Sequence, residues 1–151
     1  MSSNCQVQRI LNWFDEAKPE PSEKDFSVQL GVHIEEVVEM LDCFTTENVQ
    51  IAMALGNAIQ CLNVLSESLK ANEGDIEIID SLEFLDSLND QVVTAVGTAK
   101  FAGYDFLSSI MEVNDSNYSK FVDGKAVFNE QGKIAKGPSY FKPDLKPFLH
   151  Y

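Results

Sequence analysis

The spacing of apolar residues along this chain predicts a bundle of helices. From residue 5 to about residue 114, apolar side chains recur at intervals of three and four, which places them on one face of a helix. This pattern predicts five helices, at about residues 5–17, 25–44, 46–69, 80–101 and 105–114. Thr46 is the expected N-cap of the third helix, and Gly103 is expected to end the fourth.

The fourth predicted helix has a broad apolar surface. Its apolar residues include Phe84, Leu85, Leu88, Val92, Val93, Ala95 and Val96. They cover roughly half of the helix circumference. A surface this broad predicts contact with more than one neighbouring helix.

The helical spacing disappears toward the C-terminal end. Residues 121–151 contain three glycines and three prolines, and short apolar pieces at 126–128 and 134–135 predict a hairpin-like excursion. An extended arm is then expected to pack through Tyr140, Phe141, Leu145 and Phe148. The pattern therefore predicts a single all-α domain over residues 1–151, a helical bundle of about five helices with an extended C-terminal arm.

The net charge of −13 argues against a nucleic-acid polymer as partner, because binding to a phosphate backbone depends on Lys and Arg. The charge is unevenly distributed. Residues 1–99 hold 18 acids and 4 bases, whereas residues 100–151 hold 6 acids and 7 bases. A small phosphorylated ligand fits this distribution if cations screen the acidic part and tail lysines meet the phosphates. The alternative is an acidic, soluble surface with a neutral tail, and the charge by itself favours that alternative.

Two further features predict a cytoplasmic protein that does not associate with membranes. The sequence shows no uninterrupted apolar run of the roughly 18 residues that a membrane span needs. The first ten residues also lack the basic-then-apolar order of a signal peptide. The three cysteines fall within helical patterns and are expected to be buried free thiols.

The second predicted helix carries a group of glutamates at helical spacing. Glu36 and Glu39 are three residues apart, and Glu35 and Glu39 are four apart, so each pair can converge on one point. Hard divalent cations such as Mg²⁺ take oxygen ligands and keep waters that a phosphate can replace. The alternative is an acidic face that only meets solvent, and this helix by itself favours that alternative.

The fourth predicted helix adds a second acidic group. Glu83, Asp86 and Asp90 are spaced by three and four residues and fall within one narrow wedge of the helix. Because no Lys or Arg lies between Lys70 and Lys100, a metal ion is the natural partner for these carboxylates. The alternative is an edge helix whose acidic wedge faces water.

Together these acidic groups resemble the all-α nucleoside triphosphate pyrophosphohydrolases, which include MazG, dimeric dUTPases and phosphoribosyl-ATP pyrophosphohydrolase. The resemblance rests on Glu36-x-x-Glu39 followed by Glu83-x-x-Asp86 on a second long helix. Residues 86–90, 96–99, 112–120 and 132–140 look like the MazG-like and phosphoribosyl-ATP pyrophosphohydrolase-like branch. The likeness spans about residues 26–145.

The resemblance implies cleavage of an NTP or dNTP between the α- and β-phosphates, giving a monophosphate and pyrophosphate. It implies Mg²⁺ as cofactor, held by Glu36, Glu39, Asp86 and Asp90, with Glu35 and Glu83 as alternate or supporting ligands. It assigns substrate contacts to Asn114, Asn117 and Lys120, with the lysine at a phosphate. Because family members are dimers or tetramers, it also implies a homodimer or homotetramer with helical interfaces.

The sequence departs from the family pattern at two positions. If Asp90 is the last acid of the second motif, Ser87 stands where that motif has Glu, whereas the motif is intact if it ends at Asp86. The fourth helix therefore coordinates metal through Glu83 and Asp86 or through Asp86 and Asp90. Asp115 stands where related sequences often have a basic residue.

Two other functions stay open. A phosphoribosyl-ATP pyrophosphohydrolase-like activity is the weaker enzymatic alternative, because nothing in the sequence identifies a histidine-pathway enzyme. A non-catalytic helical nucleotide-binding or scaffold protein is the alternative from another class, because family likeness does not guarantee activity.

Overall fold

The computed structural model describes residues 5–128 and 134–149, and its helices confirm the all-α prediction. The α-helices of the described residues are α1 (Gln6–Ala17), α2 (Glu23–Leu41), α3 (Val49–Ala71), α4 (Ser81–Phe101) and α5 (Phe106–Tyr118). A short 3-10 helix follows at Lys146–Phe148. The chain forms two compact units, unit 1 comprising Met1–Pro19 and Asp80–Tyr151, and unit 2 comprising Glu20–Ile79.

Unit 2 contains α2 and α3, and side-chain caps fix where both helices begin. Ser22 and Asp25 form a capping box at the start of α2, so the helix begins two residues earlier than predicted. Asn48 caps α3 by accepting from two backbone N–H groups of its first turn. The predicted cap, Thr46, is wrong, because its hydroxyl instead accepts from the backbone N–H of Asn48.

Small residues bring α2 and α3 close together. A Cβ atom added to Gly31 would lie 2.8 Å from the carbonyl oxygen of Ser66, so no larger residue fits without movement. The Ser66 hydroxyl donates to the Gly31 carbonyl at 2.8 Å, and the Ser27 hydroxyl donates to the Leu69 carbonyl at 2.8 Å. This part of the helix pair is therefore held by satisfied buried hydroxyls rather than by large apolar side chains.

The third helix carries few charges along its length. Of the described helices, α3 alone is long and apolar enough to cross a membrane when judged by length and composition, with a mean hydropathy of 1.3. A helix at the centre of a soluble bundle has the same composition, so this property assigns no location.

Unit 1 is built on the contact between α1 and α5. The rings of Trp13 and Phe121 stack with their centroids 5.7 Å apart. The Tyr118 hydroxyl donates to the carbonyl oxygen of Arg9 at 2.9 Å. The fifth helix runs to Tyr118, four residues beyond its predicted end at Asn114.

The hairpin-like excursion is present in the described part of the segment. An antiparallel bridge joins Val122 to Lys125 around a turn in which Gly124 has a positive φ, and a second antiparallel bridge joins Phe128 to Ile134. Residues 129–133, which include the predicted turn centre, lie outside the described residues.

The arm that follows is extended and lies along α5. The Ser116 hydroxyl donates to the carbonyl oxygen of Phe141 at 2.8 Å, and the backbone N–H of Phe141 donates to the Ser119 hydroxyl at 3.1 Å. Farther along, the carbonyl oxygen of Phe148 accepts from the backbone N–H of Asp105 at 2.9 Å. The side chain of Phe141 is exposed. At this position hydrogen bonds therefore attach the arm to α5.

Little apolar surface is fully buried in the described residues, where the buried apolar side chains are Ala17, Val38 and Phe121. No residue of α4 is buried. The prediction of buried thiols is wrong, because all three cysteines are exposed in the single chain. Cys5 and Cys43 lie just outside α1 and α2, and Cys61 lies on an exposed part of α3.

Candidate metal centre and substrate contacts

The glutamates of α2 divide into two sets. Glu36 and Glu39 lie about one turn apart, and both are exposed. Glu35 is half-buried and pairs with Lys70 on α3, with 2.8 Å between the Nζ and Oε1 atoms. Glu36 and Glu39 are therefore exposed to solvent, and Glu35 takes part in the contact between α2 and α3.

Lys70 is the residue of this region that the sequence did not assign to a role. Its Nζ atom lies 2.8 Å from Glu35 and 2.7 Å from Glu67, and the hydrogen bonds that it donates to these two carboxylates raise the pKa of Lys70. Its aliphatic stem passes over Gly31, whose added Cβ would lie 2.9 Å from the Lys70 Cγ atom. The signal that could have identified it is that α3 has no other basic residue.

The acids of α4 lie on one side of a continuous helix, as their spacing predicts. Glu83, Asp86 and Asp90 are all exposed. Asp80, just before them, caps the helix by accepting from two backbone N–H groups of the first turn. Asp86 and Asp90 are therefore held about one helical turn apart and open to solvent.

The two acidic groups belong to different units, with Glu36 and Glu39 in unit 2 and Asp86 and Asp90 in unit 1. Within residues 5–128 and 134–149, no three Asp, Glu, His or Cys side chains are grouped closely enough to hold a metal ion. The donor chemistry still fits Mg²⁺, because each unit offers exposed carboxylate oxygens one helical turn apart.

The three residues predicted to contact substrate lie at the contact between α1 and α5. Asn114 is only 2 % exposed, and its amide donates to the Oε1 atom of Gln6 at 2.9 Å. Lys120 donates to the Oδ1 atom of Asn117 at 2.8 Å. The indole N–H of Trp13 donates to the backbone carbonyl of Asn117 at 3.0 Å. The bonds of Asn114 to Gln6 and of Trp13 to Asn117 therefore hold α1 against α5, whereas the Lys120 bond lies at the end of α5 itself.

Asp115, which departs from the family pattern, has a partner in the same contact. Its Oδ1 atom lies 2.6 Å from the Nη2 atom of Arg9 on α1. Because the Asp115 side chain is 55 % exposed, water weakens this ion pair. The acid at this position nevertheless contributes to the attachment of α1.

Comparison with known proteins gives no match. No protein-family model matches the chain, and no curated protein or solved structure is significantly similar to it.

Proposed function

We propose that this protein is a magnesium-dependent nucleoside triphosphate pyrophosphohydrolase that converts an NTP or dNTP to the monophosphate and pyrophosphate. The observation that carries the proposal is a pair of exposed carboxylates on each of two long helices, Glu36 with Glu39 and Asp86 with Asp90. Their order along the chain, followed by the Asn–Lys segment of residues 114–120, is the order of the family that the sequence resembles.

In this proposal the four carboxylates bind Mg²⁺, and Glu83 is an additional ligand. Mg²⁺ held there would neutralise phosphate charge and lower the pKa of the attacking water. Glu35 supports the site from its ion pair with Lys70 rather than by direct coordination.

The substrate contacts come from the end of α5. Lys120 meets a phosphate and Asn117 orients the lysine, to which it is already hydrogen bonded. Asn114 positions α1, because its buried amide is engaged with Gln6. We also propose that the protein is cytoplasmic and forms a homodimer or homotetramer.

The test is pyrophosphate release, measured over a panel of NTPs, dNTPs and phosphoribosyl-ATP with and without Mg²⁺. Loss of a residue that only supports a metal ligand typically lowers activity by roughly 10–100-fold. Asp90→Asn and Glu39→Gln each remove a proposed ligand, so each should lower the rate of pyrophosphate release by more than this. Asp123→Asn is the matched control, because Asp123 is exposed in a turn with φ of 51° that Asn also adopts.

Thermal unfolding separates this enzyme from a non-catalytic scaffold. Mg²⁺ should raise the melting temperature of the parent, because a ligand that binds only the folded state stabilises it, and the gain should shrink in Asp90→Asn. A scaffold shows neither hydrolysis nor stabilisation by Mg²⁺. Full activity in both Asp90→Asn and Glu39→Gln would show that the carboxylate mechanism is wrong. Activity confined to phosphoribosyl-ATP would establish the alternative substrate.

A further inference from the structure

A second surface of α4, distinct from its acidic wedge, is apolar and exposed. Successive residues of this surface are three and then four positions apart along the chain. We call this surface the α4 seam. The seam consists of Leu82, Leu85, Asn89, Val92, Val96 and Ala99. Helices that pair in coiled coils have this spacing, with the side chains of one helix inserted between those of the other.

The seam is uncovered in the single chain. Leu82, Leu85 and Val92 are 81 %, 59 % and 56 % exposed. Within unit 1, α5 is the described α-helix against which α4 packs. Soluble monomers rarely leave a contiguous apolar patch larger than a few hundred Å² in water, so a surface of this kind marks a contact site.

We propose that the α4 seam packs antiparallel against the α4 seam of a second copy of the chain, forming a two-fold dimer. A two-fold axis brings one patch onto the same patch of the other copy, so the patch must be self-complementary. The antiparallel register produces layers of Leu82 with Ala99, Leu85 with Val96, and Asn89 with Val92. Larger side chains at one end thus meet smaller ones from the other end.

The charges beside the seam favour the antiparallel orientation. Within α4 the acidic residues Glu83, Asp86 and Asp90 all lie in the first ten positions, and the one basic residue, Lys100, lies in the last turn. The antiparallel register brings Asp86 of each copy toward Lys100 of the second copy. A parallel pair would set the two acidic halves side by side, where like charges repel.

The positions that border the seam fit the same register. On one border Leu88 meets Ala95 of the second copy, and on the other Val93 meets Val93, so uncharged residues flank the two-fold axis. Asn89, the one polar member of the seam, lies near that axis. A buried polar residue at such a position lowers stability but disfavours other registers.

This dimer leaves part of the proposed metal centre open. Glu83 and Asp90 lie on the side of α4 away from the seam, whereas Asp86 borders it. Each copy therefore receives a lysine of the second copy beside one of its predicted metal ligands. The inference rests on the spacing, exposure and charge of α4 and not on the proposed hydrolysis, so the interface and the catalytic activity can fail independently.

Mass measurement tests whether a second copy covers the seam. Sedimentation equilibrium of the full chain at micromolar concentration should give a dimer, or a tetramer that contains it. Val92→Glu should reduce that mass two-fold, because it buries a carboxylate in each half of the interface. Val7→Glu is the matched control, because Val7 on α1 is also 56 % exposed. The oligomer mass of this variant should equal that of the parent.

Cross-linking tests the orientation. The experiment uses chains in which Cys5, Cys43 and Cys61, all exposed, are replaced by Ser, and a short bis-maleimide. Leu82 and Ala99 are 17 residues, or about 25 Å, apart along the helix. A mixture of Leu82→Cys and Ala99→Cys chains should therefore cross-link in the antiparallel dimer, while Leu82→Cys chains alone should not.

Each other result overturns part or all of the proposal. Efficient cross-linking of Leu82→Cys chains to one another would establish the parallel orientation. An unchanged mass in Val92→Glu would show that the oligomer uses another surface. A monomeric parent would overturn the proposed dimer.

Discussion

At the scale of the residue, Gly31 determines how closely α2 and α3 approach. Its missing side chain admits both the Ser66 carbonyl and the stem of Lys70, and Lys70 then reaches Glu35. The ion pair and the close helix contact therefore depend on the same glycine.

We expect Gly31→Ala to lower the free energy of unfolding by roughly 1–3 kcal/mol, because overpacking forces neighbouring atoms apart. Urea unfolding followed by circular dichroism measures this change. Gly56→Ala on α3 is the control, since a Cβ there meets nothing within 4 Å, and it should stabilise by roughly 0.5–1 kcal/mol. Equal effects of the two substitutions would show that the close approach at Gly31 is not maintained in solution.

At the scale of the element, α5 depends on the N-cap at Asp105. The carboxylate accepts hydrogen bonds from the side chain and then the backbone N–H of Ser108, and these bonds lower the pKa of Asp105 below its ordinary 3.8. Since the folded pKa is lowered, the stabilisation is present above 3.8 and is lost as the pH falls through the folded value.

We therefore expect Asp105→Asn, which keeps a capping oxygen but does not titrate, to be less stable than the parent at neutral pH. The difference should decline as the pH falls below about 4. Urea midpoints of both proteins across this range measure it. A difference that stays constant with pH would show that the charge of Asp105 does not stabilise α5.

The elements were predictable from the sequence to different degrees. Apolar spacing located all five helices, because apolar residues three and four positions apart line one face of a helix. The start of α3 was misplaced because Asn48 and Thr46 are both good caps, and only the backbone geometry selects between them. The ion pair of Glu35 with Lys70 was also not predictable, because it depends on the register of α2 against α3.

At the scale of the whole molecule, the C-terminal arm bonds to one of the two units. Its hydrogen bonds to Ser116, Ser119 and Asp105 all lie within unit 1. Deletion of residues 138–151 should therefore lower the melting temperature and increase amide hydrogen exchange in α5, with exchange in α2 and α3 unchanged.

Ser116→Ala is the graded control, because it removes one of these hydrogen bonds and should lower the melting temperature by less than the deletion. Hydrogen exchange read by mass spectrometry locates the change along the chain. Equal loss of protection in α5 and in α2 and α3 would mean that the chain unfolds as one cooperative body.

Unit 1 combines residues 1–19 with residues 80–151, and this separation in sequence affects the order of folding. The hydrogen bond between Trp13 and Asn117 joins residues 104 apart, whereas α2 and α3 are neighbours in sequence. Loop closure of that length is slow relative to pairing of adjacent helices. On the ribosome, α2 and α3 can pair as soon as they emerge, while the apolar face of α1 stays exposed to chaperones until α5 has emerged.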